Sequence, residues 1–260
     1  MSPGARELAA LAAKAATEAG RELLRRRGQV HGLDTKTSAT DPVTDADRAS
    51  ERLLVEILLG ERPQDGLLGE EGASRDGTSG LRWVLDPLDG TVNWLYGFPA
   101  WCVSVACEDG ASEPGGALAG AVYDALRDEL YWAARGEGAW LRDERLRVND
   151  PVPLERALIA TGFAYDPGDR RRQAQTVARV IPAARDVRRG GSAALDLCWV
   201  AAGRLDGYYE DTTSRWDWAA AALIAREAGA VVTPFGGGSR DGGVVAAGPA
   251  LHDELRALVT

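Results

Sequence analysis

Residues 5 to 27 alternate alanine and leucine with arginine, glutamate and lysine at helical spacing, and Leu8, Leu11, Ala15, Ala19 and Leu23 fall on one stripe. The pattern predicts a packing helix. Val30 to Asp34 is short enough for a strand, residues 36–40 read as a polar loop, and Thr44 then stands as the N-cap of a second helix running to about Leu59. Asp45 and Asp47 would sit in its first turn, where carboxylates offset the helix dipole. Leu67 and Leu68 lead into Gly69-Glu70-Glu71, a strand end that delivers an acid. Leu81 to Leu85 is a buried strand, which Asp86-Pro87 is expected to stop by ending its pairing and opening a turn. Beyond it, Cys102–Glu108, Ala117–Tyr123, Glu129–Ala134 and Ala139–Leu141 are period-two or apolar segments split by Gly and acidic turns, an antiparallel meander.

Asn149-Asp150-Pro151-Val152-Pro153 is the best candidate boundary. After it the chain reads as a strand at Ala157–Thr161, an Arg-rich helix at Asp169–Ala184 and a short strand at Asp186–Arg188. Gly190-Gly191-Ser192-Ala193-Ala194 opens a helix to about Ala202, and Leu205–Tyr209 is a strand ending at Glu210. The helix that begins at Arg215-Trp216-Asp217-Trp218 buries Trp216, Ala219, Ala220 and Leu223, which leaves Asp217 off the stripe in the first turn. Strands at Val231–Thr233 and Val244–Ala246 and a helix at Pro249–Val259 complete the pattern. The fold class expected is α/β: residues 1–150 form a mixed α+β half on an antiparallel sheet, and residues 151–260 an α/β half.

Composition narrows the function. With 260 residues, 45% of them hydrophobic, the chain can bury a sizeable core. A net charge of −9 argues against a sequence-independent nucleic-acid binder, which needs a basic face. Arg170-Arg171-Arg172 is then a solvated helix start rather than a nucleic-acid patch. Cys102, Cys107 and Cys198 lie inside apolar runs and read as buried free thiols of a reducing compartment. No window approaches the roughly 18 apolar residues of a membrane span, so a cytoplasmic protein without membrane contact is expected.

The chemistry centres on WVLDPLDGTVNWLYGFP, residues 83–99. Asp86 and Asp89 flank a turn and can aim at one point, with the Leu88 carbonyl free to join them, a set of oxygens that suits a hard cation. Gly90-Thr91 then offer backbone N–H groups of the kind that hold a phosphate beside a metal. Read alone, each acid has a plainer use as a turn or helix-start residue.

The string DPLDGTVNW resembles the signature of the inositol monophosphatase family, usually D-P-[IL]-D-G-T-x-N-F, with Trp94 in place of the Phe. Further blocks in the family's order are D-P-V-T-x-x-D at 41–47, G-E-E at 69–71 and W-D-x-A with E-A-G at 216–229, where Ala230 replaces the usual second Gly. The resemblance implies a layered α-β-α-β-α sandwich and a magnesium-dependent, lithium-sensitive phosphatase holding two or three Mg²⁺ ions, with a homodimer as its assembly. It implies metal ligation by Glu70, Asp86, Leu88, Asp89 and Asp217, and catalysis by Glu70 and by Thr91 backed by Asp47. Substrate contacts would come from Gly90, Thr91, Gly191, Ser192, Ala193, Glu210 and Asp217.

Oxygen ligands without His or Cys in any block agree with Mg²⁺ rather than Zn²⁺, and neither His31 nor His252 lies in a motif. The substrate expected is a small phosphate ester, myo-inositol 1-phosphate foremost, since Glu210 falls where inositol-specific relatives carry a Glu. Histidinol phosphate, fructose 1,6-bisphosphate and adenosine 3′,5′-bisphosphate are alternatives on the same site. A family member turned regulatory or protein-binding partner is the alternative of another class.

Overall fold

The structure is a computed structural model that describes residues 4–28, 34–35, 42–109, 116–236 and 242–260. The loop expected at 36–40, His31 and all but the last residue of the strand expected at 30–34 lie outside the described residues. In chain order the elements are α1 (Ala5–Arg26), β1 (Asp34–Thr35), β2 (Pro42–Val43), α2 (Asp45–Glu61), β3 (Gly66–Gly69), β4 (Ser74–Arg75), β5 (Leu81–Asp89), α3 (Thr91–Tyr96) and β6 (Cys102–Asp109). There follow β7 (Ala117–Asp124), β8 (Glu129–Ala134), β9 (Gly138–Leu141) and β10 (Glu144–Arg145), then a 3₁₀ turn at Leu154–Arg156. The remainder is β11 (Leu158–Thr161), α4 (Pro167–Val180), β12 (Asp186–Arg188), α5 (Ala193–Ala201), β13 (Gly207–Glu210), α6 (Arg215–Glu227), β14 (Val231–Phe235), β15 (Gly243–Ala247) and α7 (Pro249–Val259).

Two large sheets result. One has eight strands in the order β10-β9-β8-β7-β6-β5-β3-β4, antiparallel except for the β3/β5 pair. The other has five, β12-β11-β13-β15-β14, parallel through β12, β11 and β13 and antiparallel beyond. Strand alternation sorts side chains to two faces of the first sheet. Trp83, Leu85, Val103 and Val105 join Leu8, Leu23, Leu54 and Leu58 of α1 and α2 in one core. Val84, Cys102, Ala106 and Val122 join α5 and α6 in another. On the outer side of the second sheet, Ile159, Tyr209 and Val245 pack with Leu251 and Leu255 of α7 and Val180 of α4. The layers therefore run α-β-α-β-α. Leu54 and Leu58 are fully buried, each contributing roughly 2 kcal/mol.

The middle layer is thin. From Ala219 to Ala225 every side chain of α6 is buried, so the helix is apolar all round instead of carrying one stripe. Gly120 of β7 lies directly against it: a Cβ there would stand 2.9 Å from the Ala220 Cα.

One expectation is corrected. Asp86-Pro87 does not end the strand, because β5 continues to Asp89. Its register against β6 slips between Asp86↔Ser104 and Asp89↔Cys102, and Pro87, which has no N–H to give, occupies that irregularity where no ladder bond is required.

Candidate active site

The parallel pairing of β3 with β5 decides where the first two acids meet. Gly69 is opposite Leu85, and the Glu70 N–H donates to the Leu85 carbonyl at 3.2 Å, so Glu70 at the end of β3 lies beside Asp86 within β5. Asp86 is 1% exposed and its carboxylate accepts the Leu88 N–H at 3.0 Å. After the bulge, Asp89 accepts the Ser192 hydroxyl and the Ala194 N–H, each at 2.7 Å. One carboxylate thus ties the end of β5 to the start of α5.

Gly90 follows with φ +95°, and a Cβ on it would meet the Ala100 carbonyl oxygen at 2.8 Å, so only glycine fits this corner. Thr91 opens α3, its hydroxyl 3.1 Å from both Asp47 Oδ1 and the Leu88 carbonyl oxygen. The single hydroxyl proton serves one acceptor at a time, and the Leu88 carbonyl keeps a second lone pair.

The first two turns of α2 brace both strand ends. Asp47 meets Thr91, the Ser50 hydroxyl donates to the Pro87 carbonyl at 2.8 Å, and Glu51 accepts the Glu71 and Ala73 N–H groups at 2.9 and 3.0 Å. Asp47 is also the capping acid of this helix: it accepts the Thr44 N–H at 2.9 Å, and Thr44 Oγ1 in turn accepts the Ala46 and Asp47 N–H groups. Its plain and functional readings hold together.

Asp217, in the first turn of α6, accepts the Ser214 N–H at 2.7 Å. Glu210 at the end of β13 is held by the Tyr208 hydroxyl at 2.8 Å and is packed against Gly162, where a Cβ would meet its carboxylate. These residues share one cavity of about 940 Å³. Glu70, Asp86, Leu88, Asp89, Gly90, Thr91, Gly191, Ser192, Ala193, Glu210 and Asp217 line it, and Asp47 stands behind Thr91.

The electrostatics follow from burial. Removal from water, then the Glu70, Asp89 and Asp217 carboxylates, pushes the Asp86 carboxyl well above the usual range. Asp217 rises through burial, then Glu70 and Asp89. Burial lifts Asp89 too, but the bonds from Ser192 and Ala194 hold it to about 6. Like charges this close require a counter-cation or protons.

The donor set is oxygen only and lies on the wall of a cavity, which fits a hard divalent cation. Among the described residues no three acidic, His or Cys side chains form a closed metal-ligating group as placed. Mg²⁺ does not ask for one, since it keeps several waters and borrows phosphate oxygens.

Some contributors escape sequence reasoning. Glu51 braces the Glu70 turn, and Asn93 Nδ2 donates to Ala100 O at 2.6 Å and to Gly190 O at 2.9 Å, joining α3 to the loop before α5. Glu51 lies four residues after Asp47 on the buried face of α2, a spacing that could have singled it out. Asn93 belongs to the DGTVNW string but carries no role in that reading. Asp196, 1% exposed and lining the cavity, is raised by burial, then by Glu210 and Asp89.

Residues 5–260 match the model of the inositol monophosphatase family. The chain belongs to that family. An inositol-1-monophosphatase SuhB of Mycobacterium tuberculosis is 47% identical over 274 residues, covering 97% of this chain and 93% of that one. A Pasteurella multocida protein named Nus factor SuhB is 40% identical and covers 94% of this chain and 92% of its own length. Among solved structures, the extragenic suppressor protein SuhB of Bartonella henselae superposes with a TM-score of 0.88 at 37% identity, covering 96% of this chain and 97% of that one. The α-β-α-β-α layering expected from the resemblance is accordingly the family's fold in this chain.

Proposed function

We propose that this inositol monophosphatase family member hydrolyses a phosphate monoester, myo-inositol 1-phosphate foremost, with Mg²⁺ as cofactor. One observation carries the reading: acids from four distant segments, Glu70, Asp86, Asp89 and Asp217, line one cavity, and neighbouring carboxylates add to burial in raising Asp86 and Asp217. Arg170 and Arg189 line the same cavity, but a phosphate dianion set among the four carboxylates themselves would be repelled, so binding there calls for cations. Glu70, Asp86, the Leu88 carbonyl, Asp89 and Asp217 would hold Mg²⁺, which when bound would supply Lewis acidity for activating water and for offsetting charge on the leaving oxygen.

The chain's own groups do the rest. With its proton directed to Asp47 Oδ1, Thr91 Oγ1 can accept a proton from the attacking water as its own proton passes to the Asp47 carboxylate. Glu70 orients that water from the opposite strand end. Gly90 and Thr91 amides grip the phosphate, while Gly191, Ser192, Ala193 and Glu210 meet the alcohol portion, Glu210 accepting from ring hydroxyls. The inositol-1-monophosphatase name of the M. tuberculosis relative supports this substrate over the other esters.

Comparing kcat/KM for myo-inositol 1-phosphate, histidinol phosphate, fructose 1,6-bisphosphate and adenosine 3′,5′-bisphosphate with Mg²⁺ is the test. The expected order has the inositol ester first, and equal or better turnover of another ester overturns the choice. Two or three ions per site, a homodimer and a cytoplasmic setting belong to the same reading, with metal titration and sedimentation as their checks. Among the described residues no helix is long and apolar enough to cross a membrane. A second reading, a protein-binding role, draws on the Pasteurella relative's name and on the exposure of Tyr96 and Phe98 beside the cavity. Unaltered Mg²⁺ binding with no hydrolysis of any of the four esters would favour it.

A further inference from the structure

The residue before the W-D motif is an arginine that the reaction does not use. Arg215 is only 9% exposed, and its Nε donates to Glu108 Oε1 at 2.8 Å, with Nη2 donating to the same oxygen. Glu108 is 2% exposed and takes a second partner, Arg82 Nη2, at 3.1 Å. The guanidinium also lies 4.7 Å from the Trp218 ring centroid. Burying two charges costs hydration that their attraction repays only in good geometry, so such a pair is weak as a stabiliser, and what it does here is join the start of α6 to β6.

What it fixes is the start of α6. Glu108 is on β6, whose register against β5 is regular from Glu108↔Arg82 to Ser104↔Asp86. Ser104, four residues away on the same face of β6, reaches the Trp216 carbonyl at 3.5 Å. The first turn of α6 is therefore held to one strand at two levels, and the lower level is opposite Asp86. Asp217 follows directly.

We propose that Arg215 is a positioning residue: its buried ion pair with Glu108 holds the first turn of α6 so that Asp217 enters the same carboxylate group as Asp86. This deepens the magnesium reading and rests on it. Arg215 does not line the cavity, so its effect is expected to fall on metal affinity through Asp217.

The experiment is calorimetric titration of the metal-free full chain with Mg²⁺ alone, for wild type, Arg215→Met, Arg215→Lys and Glu108→Gln, with cooperative melting of each recorded in parallel. Arg215→Met is expected to weaken Mg²⁺ binding about tenfold, the scale seen when a partner that orients a metal ligand is lost. Glu108→Gln should act in the same direction, and Arg215→Lys, which keeps the charge, should recover part of the loss. A merely structural role lowers the melting temperature of the three variants and leaves affinity alone. Should Arg215→Met fail to fold, Glu108→Gln, which is isosteric with the native residue, and Arg215→Lys, which keeps the charge, carry the comparison. Mg²⁺ affinities within twofold of wild type in the folded variants overturn the proposal and spare the magnesium reading. No Mg²⁺ binding by the wild type overturns both.

Discussion

At the start of α2, Asp47 reaches back to the Thr44 amide at 2.9 Å, and at the start of α6, Asp217 reaches back to the Ser214 amide at 2.7 Å. Both acids occupy the third helical position, where either satisfies an otherwise open N–H. The neighbours differ. Asp47 is completely buried against the Thr91 hydroxyl and has no place on the cavity wall, whereas Asp217 keeps part of its surface and faces Glu70 and Asp89 across the cavity. The same local device thus holds one acid against a proton donor and another among its own kind. What an acid does here is decided by the element across from it.

Asp217→Asn separates the two most sharply. The amide can still accept the Ser214 N–H but brings no charge to the cation, and kcat/KM should fall about a thousandfold, roughly 4 kcal/mol of barrier. Steady-state hydrolysis measures it, and a loss under tenfold would make the helix starts equivalent. Asp47→Asn, which also keeps its cap, should lower kcat about a hundredfold through Thr91. Mg²⁺ affinity should hold, and calorimetry would expose the contrast as false if it weakened as much as in Asp217→Asn.

The caps themselves should be unequal. Thr44 Oγ1 accepts N–H groups at 3.1 and 3.3 Å, so Thr44→Ala is expected to cost about 1 kcal/mol in urea unfolding. Ser214 holds Asp217 through its backbone, its N–H donating to the carboxylate at 2.7 Å and its carbonyl accepting the Asp217 N–H at 3.1 Å, and Ser214→Ala should cost less.

The smallest effect concerns pH without metal. Because the Asp217 carboxyl is raised in the folded chain, its contribution to stability is complete below the ordinary carboxylate range and is lost as pH rises through the raised value. In chelator at neutral pH, Asp217→Asn should therefore melt higher than wild type by a few degrees, a gain that shrinks toward pH 4 and disappears when Mg²⁺ is restored.

Helix starts were legible because capping is local: Thr44, Asp47, Ser192 and Asp217 could be placed from a few neighbouring letters. The layered architecture and the gathering of Glu70, Asp86, Asp89 and Asp217 in one cavity were legible through recurring motif blocks, since spacing alone cannot bring residue 70 to residue 217. Pro87 was misread, as a proline in a strand looks like a stop until its partner strand shows a register slip beneath it. Glu51, Asn93 and Arg215 stayed hidden. Asn93 and Arg215 reach partners 97 and 107 residues away that nothing in the nearby letters marks, while the spacing of Glu51 from Asp47 hints at the residue but not at its partners 20 to 22 residues on.

Gly120 and the alanines of α6 set how far that helix stands from the eight-stranded sheet. They act as a gauge block: a methyl group added at residue 120 lifts the helix axis, and the acid at its tip moves with it. Tyr96 and Ile181 stand exposed at the rim of the cavity and can be exchanged without touching that spacing, whereas residue 120 has no room for a side chain.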